Sequence, residues 1–198
     1  MVRVLRKFGR KSKDKLAVSR KIISFDCHDS SLMYIAGKQG ESLIMITSYI
    51  PKIEDLWFKE TMLADPDTMS YNHAWGGTIS FPEEKWHAWY EHWIKNPDDK
   101  RYYRYLKDDS GCFIGEIAYH YDEELDIYLA NVIVHAPYRN KGYGSQGLDL
   151  LCAAAKEHGI RFLFDNIAID NPAVSLFLKH DFVEDYRDND IVMLKKEL

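Results

Sequence analysis

A chain of 198 residues is long enough for one well-filled core and short of two full domains, and a hydrophobic fraction of 46% with 14% aromatics is that of a globular protein. No apolar run approaches the length that crosses a bilayer, and three cysteines with no C-x-x-C spacing and no secretory signal argue against a disulfide scaffold and for reduced thiols in a cytoplasmic protein. The formal charge of −5 is uneven: ten Lys or Arg against three Asp before residue 41 leave −12 on the rest, so the body attracts cations, repels nucleic acid and suits an amine as partner.

Residues 1–41 read as a basic N-terminal extension. The run lacks the apolar centre of a signal peptide; a transit peptide and a nucleic-acid arm share its shortage of acids, and a solvated tail is the reading adopted. Leu43-Ile44-Met45-Ile46-Thr47 suits a first buried strand, ended near Pro51. Ile53, Leu56, Trp57, Glu60 and Leu63 recur at helical spacing, with Leu56, Trp57 and Leu63 as the inward stripe. A loop from Asp65 to Gly77 follows. Ser80, Pro82, Glu83 and Glu84 then announce a second helix through Trp93 or Ile94, with Trp86, Trp89, Tyr90 and Trp93 on one face. His87 and His92 are five apart on it and do not share a face, so no metal site is expected.

Arg101 to Lys107, Cys112 to Tyr121 and Leu125 to Val134 alternate as strands, and the polar turns between them predict an antiparallel meander. The last of these strands runs into Pro137-Tyr138-Arg139-Asn140-Lys141-Gly142-Tyr143-Gly144-Ser145 and an apolar helix to His158. A glycine turn at a helix start presents backbone N–H groups that have no partner, and Arg139 and Lys141 add charge beside them, so the segment suits an anion. Ser145 has no G-x-S-x-G elbow, and no hydrolase triad is suggested. A strand from Phe162 to Ile169, a helix from Pro172 to about Lys179, and strands near Phe182 to Tyr186 and Ile191 to Lys195 complete the chain. The expected fold class is α/β (α+β): a mixed, mostly antiparallel sheet with helices on both faces.

PYRNKGYGSQGLDLLCAAA and NPAVSLFLKHDF resemble the two signature regions of the GNAT superfamily of acyl-CoA-dependent N-acetyltransferases, and the resemblance covers roughly residues 42–198. It implies a splayed parallel strand pair with the pantetheine of acetyl-CoA in the gap. Backbone groups at Ile133, Val134 and His135 would pair with the cofactor arm. The pyrophosphate would meet the N–H groups of Arg139, Asn140, Lys141, Gly142, Tyr143, Gly144 and Ser145. Asn171, Ser175 and Phe177 fall in the second region, where Asn171 either touches the cofactor arm or caps the following helix.

The implied activity is acetyl transfer to the primary amine of a small cationic metabolite or a peptide; the alternative is a non-catalytic acyl-CoA-binding module. Glu116 and His120, on one face of their strand by alternation, are the candidate general bases, with a solvated strand residue and a turn residue as the plainer readings. Tyr128 sits where many relatives place an acidic base. The position of the family's usual acid, a Tyr, is Phe177 here, and the usual Gly is Asp181, so Tyr138, Tyr143 or a water protonates the thiolate, or it leaves unassisted, which a thiol of pKa about 8.5 permits. Tyr71, His73 and Trp75, with Asp65 and Asp67, would build the acceptor site; packing on the core is the competing role. Relatives often pair as homodimers.

Overall fold

The computed structural model describes residues 45–198, the side chains of Ala74 and Trp75 excepted. The basic extension, and Leu43 and Ile44 of the expected first strand, lie outside the described residues.

Period-2 alternation becomes strand wherever it is strongest: β2 (Arg101–Lys107), β3 (Phe113–Asp122) and β4 (Ile127–Val134) form the meander. Both turns are held by an aspartate. Asp108 accepts from the N–H groups of Ser110 and Cys112, and Asp122 from those of Glu124 and Leu125, at 2.9–3.1 Å. A short β1 (Thr47–Tyr49) lies outside β2, while β5 (Phe162–Ala168), β7 (Ile191–Glu197) and β6 (Val183–Arg187) complete a sheet that has, among the described residues, seven strands in the order β1-β2-β3-β4-β5-β7-β6. Every neighbouring pair is antiparallel except β4 with β5.

That parallel pair is brief. Tyr128 faces Leu163 and Leu129 faces Phe164, after which β4 follows β3 out to the Gly115–Val134 pair while β5 follows β7 out to Ala168–Ile191. Each strand is committed to its antiparallel neighbour, so the sheet opens between their C-terminal ends.

The two faces are covered by different helices. On one, α3 (Tyr143–Glu157) and α4 (Ala173–Lys179) bury Leu148, Leu151 and Phe177 against Leu106, Ile117 and Leu163. Gly147 lets α3 sit close: a Cβ there would lie 2.9 Å from a Leu106 methyl. On the other face, α1 (Leu56–Ala64) and the helical run 83–95 enclose Phe58, Met62, Tyr103, Tyr105 and Ile133. Burial of each large side chain contributes about 1.5–3 kcal/mol.

Four expectations change in detail. Among the described residues the first strand is Thr47–Tyr49, paired with β2 and mostly exposed. Trp57 is 47% exposed, since Leu56, Phe58, Met62 and Leu63 already fill the inward side; its ring meets those of Phe58 and Phe113 at the rim. The loop after α1 is largely a 3-10 segment, Thr68–Trp75, ended by Gly76 at φ 108°. The second helix is divided into 3-10 (Glu83–Lys85), α2 (Trp86–Tyr90) and a π turn (Glu91–Lys95), within which Trp89 and Trp93 stack at 6.0 Å.

Candidate active site

β4 ends where the His135 N–H donates to Ile114 O at 2.9 Å, and a 3-10 turn (Ala136–Tyr138) leads into the glycine segment. Asn140 (φ 63°) and Gly142 (φ 81°) are both left-handed, a conformation glycine adopts without strain. Gly142 is the N-cap of α3, and no side chain caps the helix. The Gln146 N–H bonds back to Gly142 O at 3.2 Å, so the N–H groups of Tyr143, Gly144 and Ser145 precede the helix's first internal bond. Among the described residues nothing lies within 4 Å of where a Gly142 Cβ would stand, and the amide donors form a cradle at the positive end of a 15-residue helix.

The side chains around the cradle have separate tasks. Arg139 does not aim its charge at the cradle: its guanidinium donates to the carbonyls of Val134 (3.1 Å), Asp67 (3.0 Å) and Thr68 (2.6 Å), tying the 3-10 segment to the end of β4. Lys141 is exposed, with its ammonium over the Tyr138 ring at 5.6 Å. Tyr143 turns its ring into the core, leaving only its backbone outward. The Ser145 hydroxyl meets His180. Asn171 Oδ1 accepts the N–H of Ala173, the first residue of α4, at 2.9 Å, and the exposed Ser175 hydroxyl donates to Pro172 O. Phe177 is 2% exposed against Phe182, with ring centroids 4.9 Å apart. Phe177→Tyr should therefore lower stability by about 1–3 kcal/mol, the cost of a buried hydroxyl without a partner, and not raise turnover; thermal melts and steady-state kinetics check both.

The 3-10 segment crosses the open end of the strand pair. At one end Thr68 Oγ1 accepts the Ala136 N–H at 2.9 Å, and Asp65 accepts from Thr68 and faces His135 at 3.6 Å. At the other, the exposed His73 reaches Asp170, just beyond β5, at 3.5 Å. Tyr71, between them, is partly buried among the aromatic core; burial raises its phenol pKa well above the usual value, and the carboxylates of Glu116 and Asp165 push it the same way. Trp75 closes the segment, and its side chain lies outside the described residues.

Glu116 and His120 are neither a solvated strand residue nor a turn residue. Glu116 is wholly buried, with Lys59 Nζ 3.0 Å from both carboxylate oxygens and the Tyr103 hydroxyl donating to one of them. The Lys59 ammonium is enclosed further by the rings of Tyr103 (4.9 Å), Trp89 (5.0 Å) and Phe81 (6.0 Å). His120 packs on Trp93, and burial pushes its pKa down to about 4. Its Nδ1, with Asn131 Nδ2 on the neighbouring strand, is a buried polar atom without a hydrogen-bond partner among the described residues. Cross-strand register places Glu116, His120 and Asn131 on one face of the sheet, the face that α1 and the second helical run cover.

A sequence model of the Acetyltransferase (GNAT) family matches residues 62–182. The chain belongs to that family. It is accordingly an acyltransferase, and the resemblance carried by the glycine turn and the NPAVSLFLKHDF segment is borne out, as is the mixed, mostly antiparallel sheet with its splayed parallel pair. No curated protein matches the chain. Among solved structures it is similar to an N-acetyltransferase from Staphylococcus aureus Mu50, at 20% identity and a TM-score of 0.62 over 77% of this chain and 98% of that one. A spermidine N-acetyltransferase from Vibrio cholerae, in complex with CoA and spermine, matches at 18% and 0.60 over 77% and 95%. An acetyltransferase (GNAT family) from Bacillus anthracis matches at 16% and 0.60 over 77% and 93%. At these identities the likeness is one of fold.

Within this GNAT fold one further group stands at the opening of the strands. Asp165 is the first residue of β5 beyond the last β4–β5 pair, and burial raises its carboxyl to about 8. A lone acid inside Phe162-Leu163-Phe164-Asp165-Asn166-Ile167 was the signal that could have found it, since an acid in an apolar strand needs a reason. An open pocket of about 250 Å³ lies instead at the beginnings of β4 and β5, lined by Tyr121, Asp126, Tyr128, Arg161 and Phe162 among others; none of the expected site residues lines it.

Proposed function

We propose that this GNAT-family chain is an N-acetyltransferase that moves an acetyl group from acetyl-CoA to the primary amine of a small cationic metabolite or peptide, by direct attack with both substrates bound. The observation that carries the reading is the uncapped start of α3 at the mouth of a parted strand pair, with an aromatic segment laid across it. When bound, acetyl-CoA supplies the thioester acyl group. The N–H groups of Tyr143, Gly144 and Ser145 hold its diphosphate. The edge of β4 at Ile133, Val134 and His135, which has no β5 partner there, offers its amides to the cofactor arm. Tyr71 and His73, with Asp170 behind, face the acceptor, and the net acidity of the body favours a cation. The spermine-bound neighbour supports an amine.

Three groups compete to take the amine's proton. Glu116 is bound on both oxygens by Lys59, and His120 is held far below neutrality, whereas the half-buried Asp165 stands where β4 and β5 part and its carboxyl is raised by burial. We assign the proton to Asp165, with Glu116 and His120 shaping the acceptor's surroundings. Its ionised form is the active one, so kcat/KM should rise through pH about 8, and Asp165→Asn should lower it by about 100-fold or more. The same carboxyl has a sign in stability. Its folded pKa lies above the unfolded value of about 3.9, so the folded state holds the proton longer and stability falls as pH rises from about 4 to 8. Melting across that range should decline less steeply in Asp165→Asn.

A CoA-release assay with spermidine and a panel of other amines tests the whole. Turnover with any of them supports transfer. Thermal stabilisation by CoA with no thioester turnover on any amine would favour the non-catalytic acyl-CoA-binding module.

A further inference from the structure

The side chains of Ser145, His180 and Asp149 form a continuous chain of contacts that the proposed acetyl transfer does not use, although it draws on the Ser145 backbone N–H. Ser145 Oγ meets His180 Nε2, and His180 Nδ1 lies 2.7 Å from Asp149 Oδ1. Ser145 and Asp149 are four apart on α3 and so share a face. His180 is the C-cap of α4, its own N–H bonded to Phe177 O at 2.9 Å and its carbonyl taking Lys196 Nζ at 2.6 Å, which fixes its backbone. Its side chain is only 15% exposed. With Asp149 on the Nδ1 side, the proton sits there and Nε2 is left to accept from the serine hydroxyl. Beside that hydroxyl are the N–H groups of the first turn of α3, donors for the charge that develops on a carbonyl oxygen under attack.

We propose that Ser145 is a nucleophile in a second active centre, with His180 as its base and Asp149 as the carboxylate that orients it, hydrolysing small acyl esters. Ser145 Oγ bonds to the acyl carbon as the ester C–O bond breaks; the serine proton passes to His180 Nε2 and on to the departing alcohol. Water then gives a proton to His180 and bonds to the acyl carbon, and Ser145 leaves with that proton as the carboxylic acid is released. The three residues span 35 positions and include no nucleophile elbow, so the sequence offers no sign of them. Ester and cofactor would draw on the same amide donors, so CoA and ester exclude one another.

The test uses the full chain without CoA, with p-nitrophenyl acetate as substrate and a fluorophosphonate as probe. The expected result is a covalent adduct mapped to Ser145, and hydrolysis reduced about 100-fold or more by Ser145→Ala and by His180→Ala, with Asp149→Asn also impaired. Labelling of the wild-type chain needs no variant, so a misfolded mutant does not decide the matter. Folded wild-type protein that takes up no label at Ser145, or Ser145→Ala hydrolysing at the wild-type rate, overturns the proposal. Hydrolysis that depends on Ser145 but is indifferent to saturating CoA upholds the nucleophile and overturns the sharing of the α3 amides by ester and diphosphate.

Discussion

Lys59→Ala should destabilise the protein by about 3–5 kcal/mol, the range found when one member of a buried ion pair is removed. Glu116 is fully buried, and both of its oxygens are neutralised by the same ammonium, so truncating Lys59 leaves a carboxylate with the Tyr103 hydroxyl as its remaining donor. The three rings around Nζ lose their cation at the same time. The variant can escape part of the cost by taking up a proton. Its deficit should therefore narrow on acidification, because a neutral carboxyl is housed there without a cation. Lys59→Met combined with Glu116→Leu removes both charges and should recover most of the loss. Chemical denaturation of the two variants at pH 7 and pH 5 measures the effect; a single variant as stable as wild type at pH 7 would mean that the pair contributes nothing net.

The same pair shows why the fold was more legible than the site. β2, β3 and β4 could be read almost residue by residue, because side chains alternate with a period of two and aspartate turns mark the gaps. The glycine turn was equally readable, since a left-handed N-cap demands glycine and the next residues must begin a helix. Nothing local could assign Lys59 to Glu116, 57 residues later, or show that Arg139 would clamp the chain at Asp67 and Thr68 instead of facing a ligand. Those pairings exist only once α1 and the 3-10 segment lie over the sheet. The division of the second helix into three hydrogen-bond patterns, with Trp89 and Trp93 both against Tyr103, has no local sign in the sequence either.

Gly115→Ala should be the most damaging methyl that can be added to the sheet, and it should weaken the cofactor site without touching it. A Cβ at this position would fall well inside van der Waals contact of Ile133 O and 3.1 Å from Val134 Cα, and both neighbours are backbone. A side chain can rotate away from a clash; a strand held by register pairs on both edges must move as a whole. β3 is such a strand, bound to β2 through Leu106 and to β4 through Val134 at this residue. Relief therefore comes from displacing the end of β4, and with it Ile133, Val134 and His135, whose free edge is the one proposed to receive the cofactor arm. The expected cost is about 3 kcal/mol, the upper end for overpacking a filled interior, together with at least a tenfold loss of CoA affinity by calorimetry. Gly111, which also invites substitution but has φ 82° in an open turn with nothing within 4 Å, is the contrast. Gly111→Ala should carry backbone strain of about 1–2 kcal/mol and leave CoA affinity intact. Equal losses of affinity in both variants would show that CoA binding tracks global stability and not the position of the β4 edge.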